Sequence, residues 1–149
     1  MTTLAVDKIK KKVTLGLSDQ AQISGYLYLS PFSELGVGRQ TILDALTGVD
    51  RFIPFESSDG EFSFINQDHV VWMAGPMEED PDEIAAPPAH RSVTVFIQGG
   101  KRLRGDLIVA IPEEKGRLSD LLNESKDFLV LRDEKREVLV NVDYVIRVV

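Results

Sequence analysis

The sequence repeats itself, and that constrains the fold more than any single motif in it. The stretch Arg117-Leu118-Ser119-Asp120-Leu121-Leu122-Asn123, followed by Phe128-Leu129-Val130-Leu131, restates Thr41-Ile42-Leu43-Asp44-Ala45-Leu46-Thr47 and Phe52-Ile53-Pro54-Phe55 at a constant offset of 76 over fifteen positions. In each copy an Asp precedes a Leu by two residues and a Phe by eight. Further blocks match in the same order. Val93-Thr94-Val95-Phe96-Ile97 matches residues 13–17 and Gly105 matches Gly25 at an offset of 80, and Asn141-Val142-Asp143-Tyr144 matches Asn66-Gln67-Asp68-His69 at 75. Preserved order with small gaps marks a tandem duplication.

Hydrophobic periodicity says what is duplicated. Val13-Thr14-Leu15-Gly16-Leu17 and Ile23-Ser24-Gly25-Tyr26-Leu27-Tyr28-Leu29 alternate with the period of a strand and flank the turn residues Ser18-Asp19-Gln20. On the second arm Ile23, Gly25, Leu27 and Leu29 share one face, and Ser24, Tyr26 and Tyr28 the other. A glycine on the apolar face of a strand marks a sharp bend or the close approach of another backbone. A short helix follows from about Arg39 to Thr47, with Ile42, Leu43 and Leu46 as its apolar stripe and Gly48 as its stop. Strands at Phe52-Ile53-Pro54-Phe55, Glu61-Phe62-Ser63-Phe64-Ile65 and Val70-Val71-Trp72-Met73-Ala74 complete the half.

The fold class that follows is mainly β (α+β). Two tandem β-β-α-β-β-β repeats, residues 1–75 and 91–149, are expected to form small, strongly bent, barrel-like halves with pseudo-twofold symmetry. Units of this size bury little and are marginal alone, so the halves should pack into one body or exchange strands. Tyr26 and Tyr28 lie opposite the apolar face, and Phe96 is on the outer face of its strand, which implies that the outer face is covered too.

Charge marks the join. The formal net charge is −7, divided as −3 over residues 1–75, −5 over 76–90 and +1 over 91–149. Residues 76–90 combine acid and proline with almost no periodic apolar residues and read as a solvated linker.

The run from Val93 through Gly99, Gly100 and Gly105 resembles the first hairpin of Sm-like and SH3-like small β-barrels, in which a turn glycine precedes a strand with an inward glycine. The resemblance implies a small barrel in each half. In the Sm-like family the helix usually precedes the first strand, whereas here it follows the second, and that family's RNA-binding motifs have no counterpart in this sequence. The pattern from Arg117 to Asn123 and on through Phe128 to Leu131 also resembles uncharacterised bacterial tandem-repeat proteins, a likeness that implies no activity.

The residues available for chemistry are few. With no cysteine and only two histidines, the chain offers no thiolate nucleophile, disulfide or Cys-based zinc site, and no cofactor or metal is expected. No apolar run is long enough to span a membrane and the first residues lack the apolar core of a secretory signal, which predicts a cytoplasmic protein without membrane contact. Asp44 and Asp120 recur at one helical position and form a candidate paired polar site, as acid and base or as ligands of a hard metal; otherwise each faces solvent or accepts backbone N–H groups. Asn66, Asp68, Asn141 and Asp143 read as structural corners, as Gly25 and Gly105 read as structural bends. His69 follows one corner, but its counterpart is Tyr144, and no nucleophile is evident beside either histidine.

Lys101, Arg102 and Arg104 are the candidate nucleic-acid or anion contact, although the first repeat has Ala21, Gln22 and Ser24 there and no aromatic is interleaved in the sequence. Lys8, Lys10, Lys11 and Lys12 form a second basic group, and Gly36-Val37-Gly38 lacks the Lys-Ser/Thr ending of a phosphate loop. The function expected is therefore a non-enzymatic binding or assembly module with a protein partner or itself. The alternatives are nucleic-acid binding through the basic hairpin and a metal-dependent enzyme built on Asp44 and Asp120.

Overall fold

The computed structural model describes residues 9–29, 41–76, 89–109, 118–124, 127–134 and 136–149. Lys8, Gly36, Val37, Gly38 and nearly all of the acidic segment lie outside these residues. The described elements are β1 (Ile9–Leu17), β2 (Gln22–Leu29), α1 (Ile42–Thr47), β3 (Phe52–Ser57), β4 (Phe62–Asn66) and β5 (Val70–Pro76), then β6 (Ala89–Ile97), β7 (Arg102–Val109), α2 (Leu118–Glu124), β8 (Phe128–Asp133), β9 (Arg136–Asn141) and β10 (Val145–Val148). Short 3₁₀ turns, Gln67–His69 and Val142–Tyr144, precede β5 and β10. The protein is mainly β with antiparallel ladders, and it forms two compact units that divide between Val70 and Val71.

The first unit carries the meander β1-β2-β3-β4. Alternation puts Val13, Leu15, Leu27, Leu29, Ile53 and Phe55 on its buried face. Gly25 is opposite Val13 on β1 and Ser57 on β3, and the Glu56 carbonyl oxygen sits where a Cβ would be. The glycine on the apolar face is thus a close approach of backbones, as the pattern of β2 predicts. Helix α1 packs against β2 and buries Ile42, Ala45 and Leu46. It starts at Ile42 because Thr41 is its N-cap: Asp44 N–H donates to Thr41 Oγ1 at 3.0 Å, and Thr41 N–H donates to Asp44 Oδ2 at 2.9 Å.

The second unit repeats this meander as β6-β7-β8-β9, with β10 added outside β6 and β5 outside β9. Val93 is opposite Gly105 as Val13 is opposite Gly25, and Leu107 is opposite Leu131 as Leu27 is opposite Phe55. Its core gathers Val93, Val95, Ile97, Leu107, Leu129, Leu131, Val138 and Val140, with Leu118 and Leu122 of α2 packed against it.

Neither meander closes on itself, which corrects the barrel expected from the bent strands. In the second unit the edge of β9 that closure would need carries β5 instead, from Trp72 opposite Val140 to Pro76 opposite Arg136. Strand β10 leaves the 3₁₀ turn and pairs with β6 on the opposite side of the sheet. Inward glycines bend individual strands, but closure depends on which strand takes the last edge. Strand β5 completes the first run of elements in sequence, yet pairs with the fourth strand of the second run.

Candidate functional site

Asn66 and Asn141, which recur at an offset of 75, are fasteners. The Asn66 side chain accepts from Asp68 N–H at 3.0 Å, and Asn141 accepts from Asp143 N–H at 3.0 Å, so each asparagine caps its 3₁₀ turn. Backbone bonds anchor both corners alike. Gln67 N–H donates to Arg51 O at 2.8 Å and Val142 N–H to Asp127 O at 3.0 Å; Ser18 N–H donates to His69 O at 2.9 Å and Gln98 N–H to Tyr144 O at 3.1 Å. Asp68 forms an exposed ion pair with Arg51 at 3.8 Å, of the kind that contributes little.

Asp44 and Asp120 both stand in the first turn of their helices. Asp44 is engaged with Thr41, and Asp120 is exposed in the other unit. The expectation that acceptance of backbone N–H groups occupies these residues describes Asp44. Among the described residues no group of three or more His, Asp or Glu side chains is arranged to hold a metal.

One pair was not legible in the sequence. Ser18 Oγ lies 2.7 Å from His69 Nδ1, so a hydroxyl does stand beside a histidine. The pair is exposed, and it doubles a backbone bond that the other unit makes without any such side chains. Its geometry is that of a strap between the β1–β2 turn and the 3₁₀ corner.

The basic hairpin is closer to aromatic rings than the sequence indicates. Lys101 Nζ lies 4.7 Å from the Trp72 ring centre. Phe96 is half-buried between Arg102 at 5.8 Å and Arg147 at 4.1 Å, because the register places it opposite Arg102 on β7 and Arg147 on β10. Arg104 is exposed on β7. Arg147 joins the group only through strand pairing, so sequence distance hid it.

Comparison with protein-family models, with curated proteins and with solved structures yields no match. Among the described residues no helix is long and apolar enough to cross a membrane.

The outer face of the first unit carries a group of aromatic rings beside β4, which among the described strands pairs with β3 alone. Lys10, Tyr26 and Tyr28 on β1 and β2 meet Glu56 on β3 and Phe62 and Phe64 on β4. Tyr28 Oη donates to Glu56 Oε2 at 2.8 Å, and Lys10 Nζ lies 3.7 Å from Glu56 Oε1 and over both tyrosine rings. The carboxylate beside it, by hydrogen bond first and by charge after, raises the Tyr28 phenol above its ordinary range. Phe62 packs on Tyr28 at 6.1 Å and edge-on to Phe64 at 5.6 Å, and both phenylalanines are exposed. Alternation in Phe62-Ser63-Phe64 could have flagged them, since an aromatic outer face needs a cover.

Proposed function

We propose that the protein is a non-enzymatic binding and assembly module, made of two duplicated β-β-α-β-β-β halves, that works by adding strands at the edges of its sheets. The observation that carries this reading is β5. It follows the first four strands in sequence, yet its backbone pairs with β9 of the second meander over five residues, from Trp72 opposite Val140 to Pro76 opposite Arg136. A sheet edge of this fold therefore accepts a strand from outside its own meander, as in β-augmentation. Strand β4 occupies the corresponding place in the first meander, and exposed Phe62 and Phe64 line it.

A photo-crosslinking residue placed at Phe64 tests the reading in the protein's own cells. Covalent adducts with a protein, whether a second copy or a different chain, are the expected result. The absence of any protein adduct would overturn the reading.

A second reading, nucleic-acid binding, draws on the row Arg102, Phe96, Arg147 with Lys101 and Arg104 nearby. It joins cations to a ring in the manner of single-strand binding grooves. Affinity for single-stranded RNA or DNA should fall with salt and fall again when Lys101, Arg102 and Arg104 are replaced by Ser. Binding indifferent to both would exclude this reading.

A further inference from the structure

We propose that the outer face of β6, β7 and β10 is a docking site for an extended acidic segment of another protein, whose Asp or Glu side chains pair with Arg102, Arg104 and Arg147. The contact belongs to a sheet face, not an edge, and so does not depend on strand addition. Its arginines overlap those of the nucleic-acid reading, with a different ligand.

Register brings the three arginines together. Phe96 of β6 stands opposite Arg102 on β7 and Arg147 on β10, and Thr94 of β6 stands opposite Arg104. Alternation turns Phe96, Arg102 and Arg104 away from the core, to which Val95, Ile97 and Leu103 belong. All three arginines are exposed, and among the described residues no carboxylate pairs with any of them. Arg147 and Arg102 lie instead over the Phe96 ring, at 4.1 and 5.8 Å from its centre. A guanidinium held over a ring keeps its N–H fork for an acceptor, and that fork matches a carboxylate through two parallel bonds.

The fold does not require these cations. At an offset of 80 the first unit has Gly16, Gln22 and Ser24 where the second has Phe96, Arg102 and Arg104. It builds the same hairpin, with Gly16 opposite Gln22 and Thr14 opposite Ser24. The arginines are an addition to one copy of a shared scaffold.

The uncompensated charge is short, and that selects the ligand. Asp106 follows Arg104 on the same face of β7 and accepts from Ser92 Oγ at 2.7 Å, and beside it on β8 Arg132 lies 2.9 Å from Glu137. A single-stranded nucleic acid needs ring faces for its bases and a cationic track for its backbone. Here guanidinium groups already lie over the Phe96 ring, Lys101 lies over the Trp72 ring, and the track ends at Asp106. Two or three carboxylates fit the face better. Arg102 and Arg104 are two residues apart on one strand, about 7 Å at the backbone, which is also the repeat of alternate side chains on an extended peptide.

The test uses the full chain and a fluorescein-labelled peptide of alternating Asp and Ser, about ten residues long, followed by fluorescence anisotropy. Binding should weaken as salt rises, and the same peptide with Asn in place of Asp should not bind. Arg102→Ser, Arg104→Ser and Arg147→Ser should each lower affinity about tenfold, as expected for a hydrogen bond between charged groups. Lys101→Ser is the control: alternation turns Lys101 to the side of Leu103, so affinity should stay within about threefold. No binding up to about 1 mM peptide, equal binding of the Asn peptide, or affinity indifferent to the three arginines would overturn the proposal. A single-stranded RNA of similar length is titrated in parallel. If it binds more tightly than the peptide and weakens in the same variants, the nucleic-acid reading stands and the acidic-segment proposal fails.

Discussion

Gly25 and Glu56 are in contact through backbone alone: a Cβ on Gly25 would stand 2.1 Å from the Glu56 carbonyl oxygen. No side-chain rotation relieves that overlap, because the obstacle is the neighbouring strand itself. Its counterpart Gly105 meets Leu131 Cβ at 3.0 Å and Arg132 O at 3.1 Å, where small shifts suffice. Gly25→Ala should therefore cost about 3 kcal/mol or more and Gly105→Ala about 1 kcal/mol, measured by urea unfolding. Equal costs would show that β2 and β7 are not bent against their neighbours to different degrees.

The capping box at α1 makes a second expectation. Thr41→Ala removes the acceptor for Asp44 N–H, and Asp44→Ala removes the acceptor for Thr41 N–H, each at about 1 kcal/mol. Because both losses fray the same turn, the double variant should cost less than the two singles together. A double-mutant cycle by denaturant titration checks this, and strict additivity would mean the two bonds act apart.

Asn66 and Asn141 use a side-chain carbonyl, so an oxygen acceptor is what their corners require. Replacement by Ala should cost about 1 kcal/mol at either position. Asp keeps the acceptor but adds charge. Asn66 is half-buried and should tolerate it, whereas Asn141 is buried and should not. Thermal melting of the four variants separates these cases, and a tolerant Asn141→Asp would contradict the role given to burial.

The Tyr28–Glu56 contact gives an alkaline signature. The phenol ordinarily titrates near 10.0 and is raised here, chiefly by its hydrogen bond to the Glu56 carboxylate. A group whose folded pKa lies above its unfolded one contributes its stability in full below the unfolded pKa. That contribution is lost as pH rises through the folded pKa, so stability should decline above about pH 10. Glu56→Gln removes the charge and should bring one tyrosine back toward the ordinary value in a phenolate absorbance titration. An unchanged titration would show that Glu56 does not hold the phenol.

What the sequence determined by itself was everything local. The offsets between Asp44 and Asp120 and between Asn66 and Asn141 placed the helices and corners, and alternation placed Gly25 and Gly105 on apolar faces. Caps and turns are made by residues a few positions apart, so their side chains identify them. The tertiary structure decided which strands share an edge. Backbone ladders carry no side-chain label, and a period of two says which face a residue takes, not which neighbour lies beside it. That is why the pairing of β5 with β9, the row of Arg102, Phe96 and Arg147, and the Ser18–His69 contact were not readable from the chain. It is also why the expected barrel is an open sheet: the bend at Gly25 was encoded locally, but β9 gave its last edge to β5, and only long-range pairing could decide that.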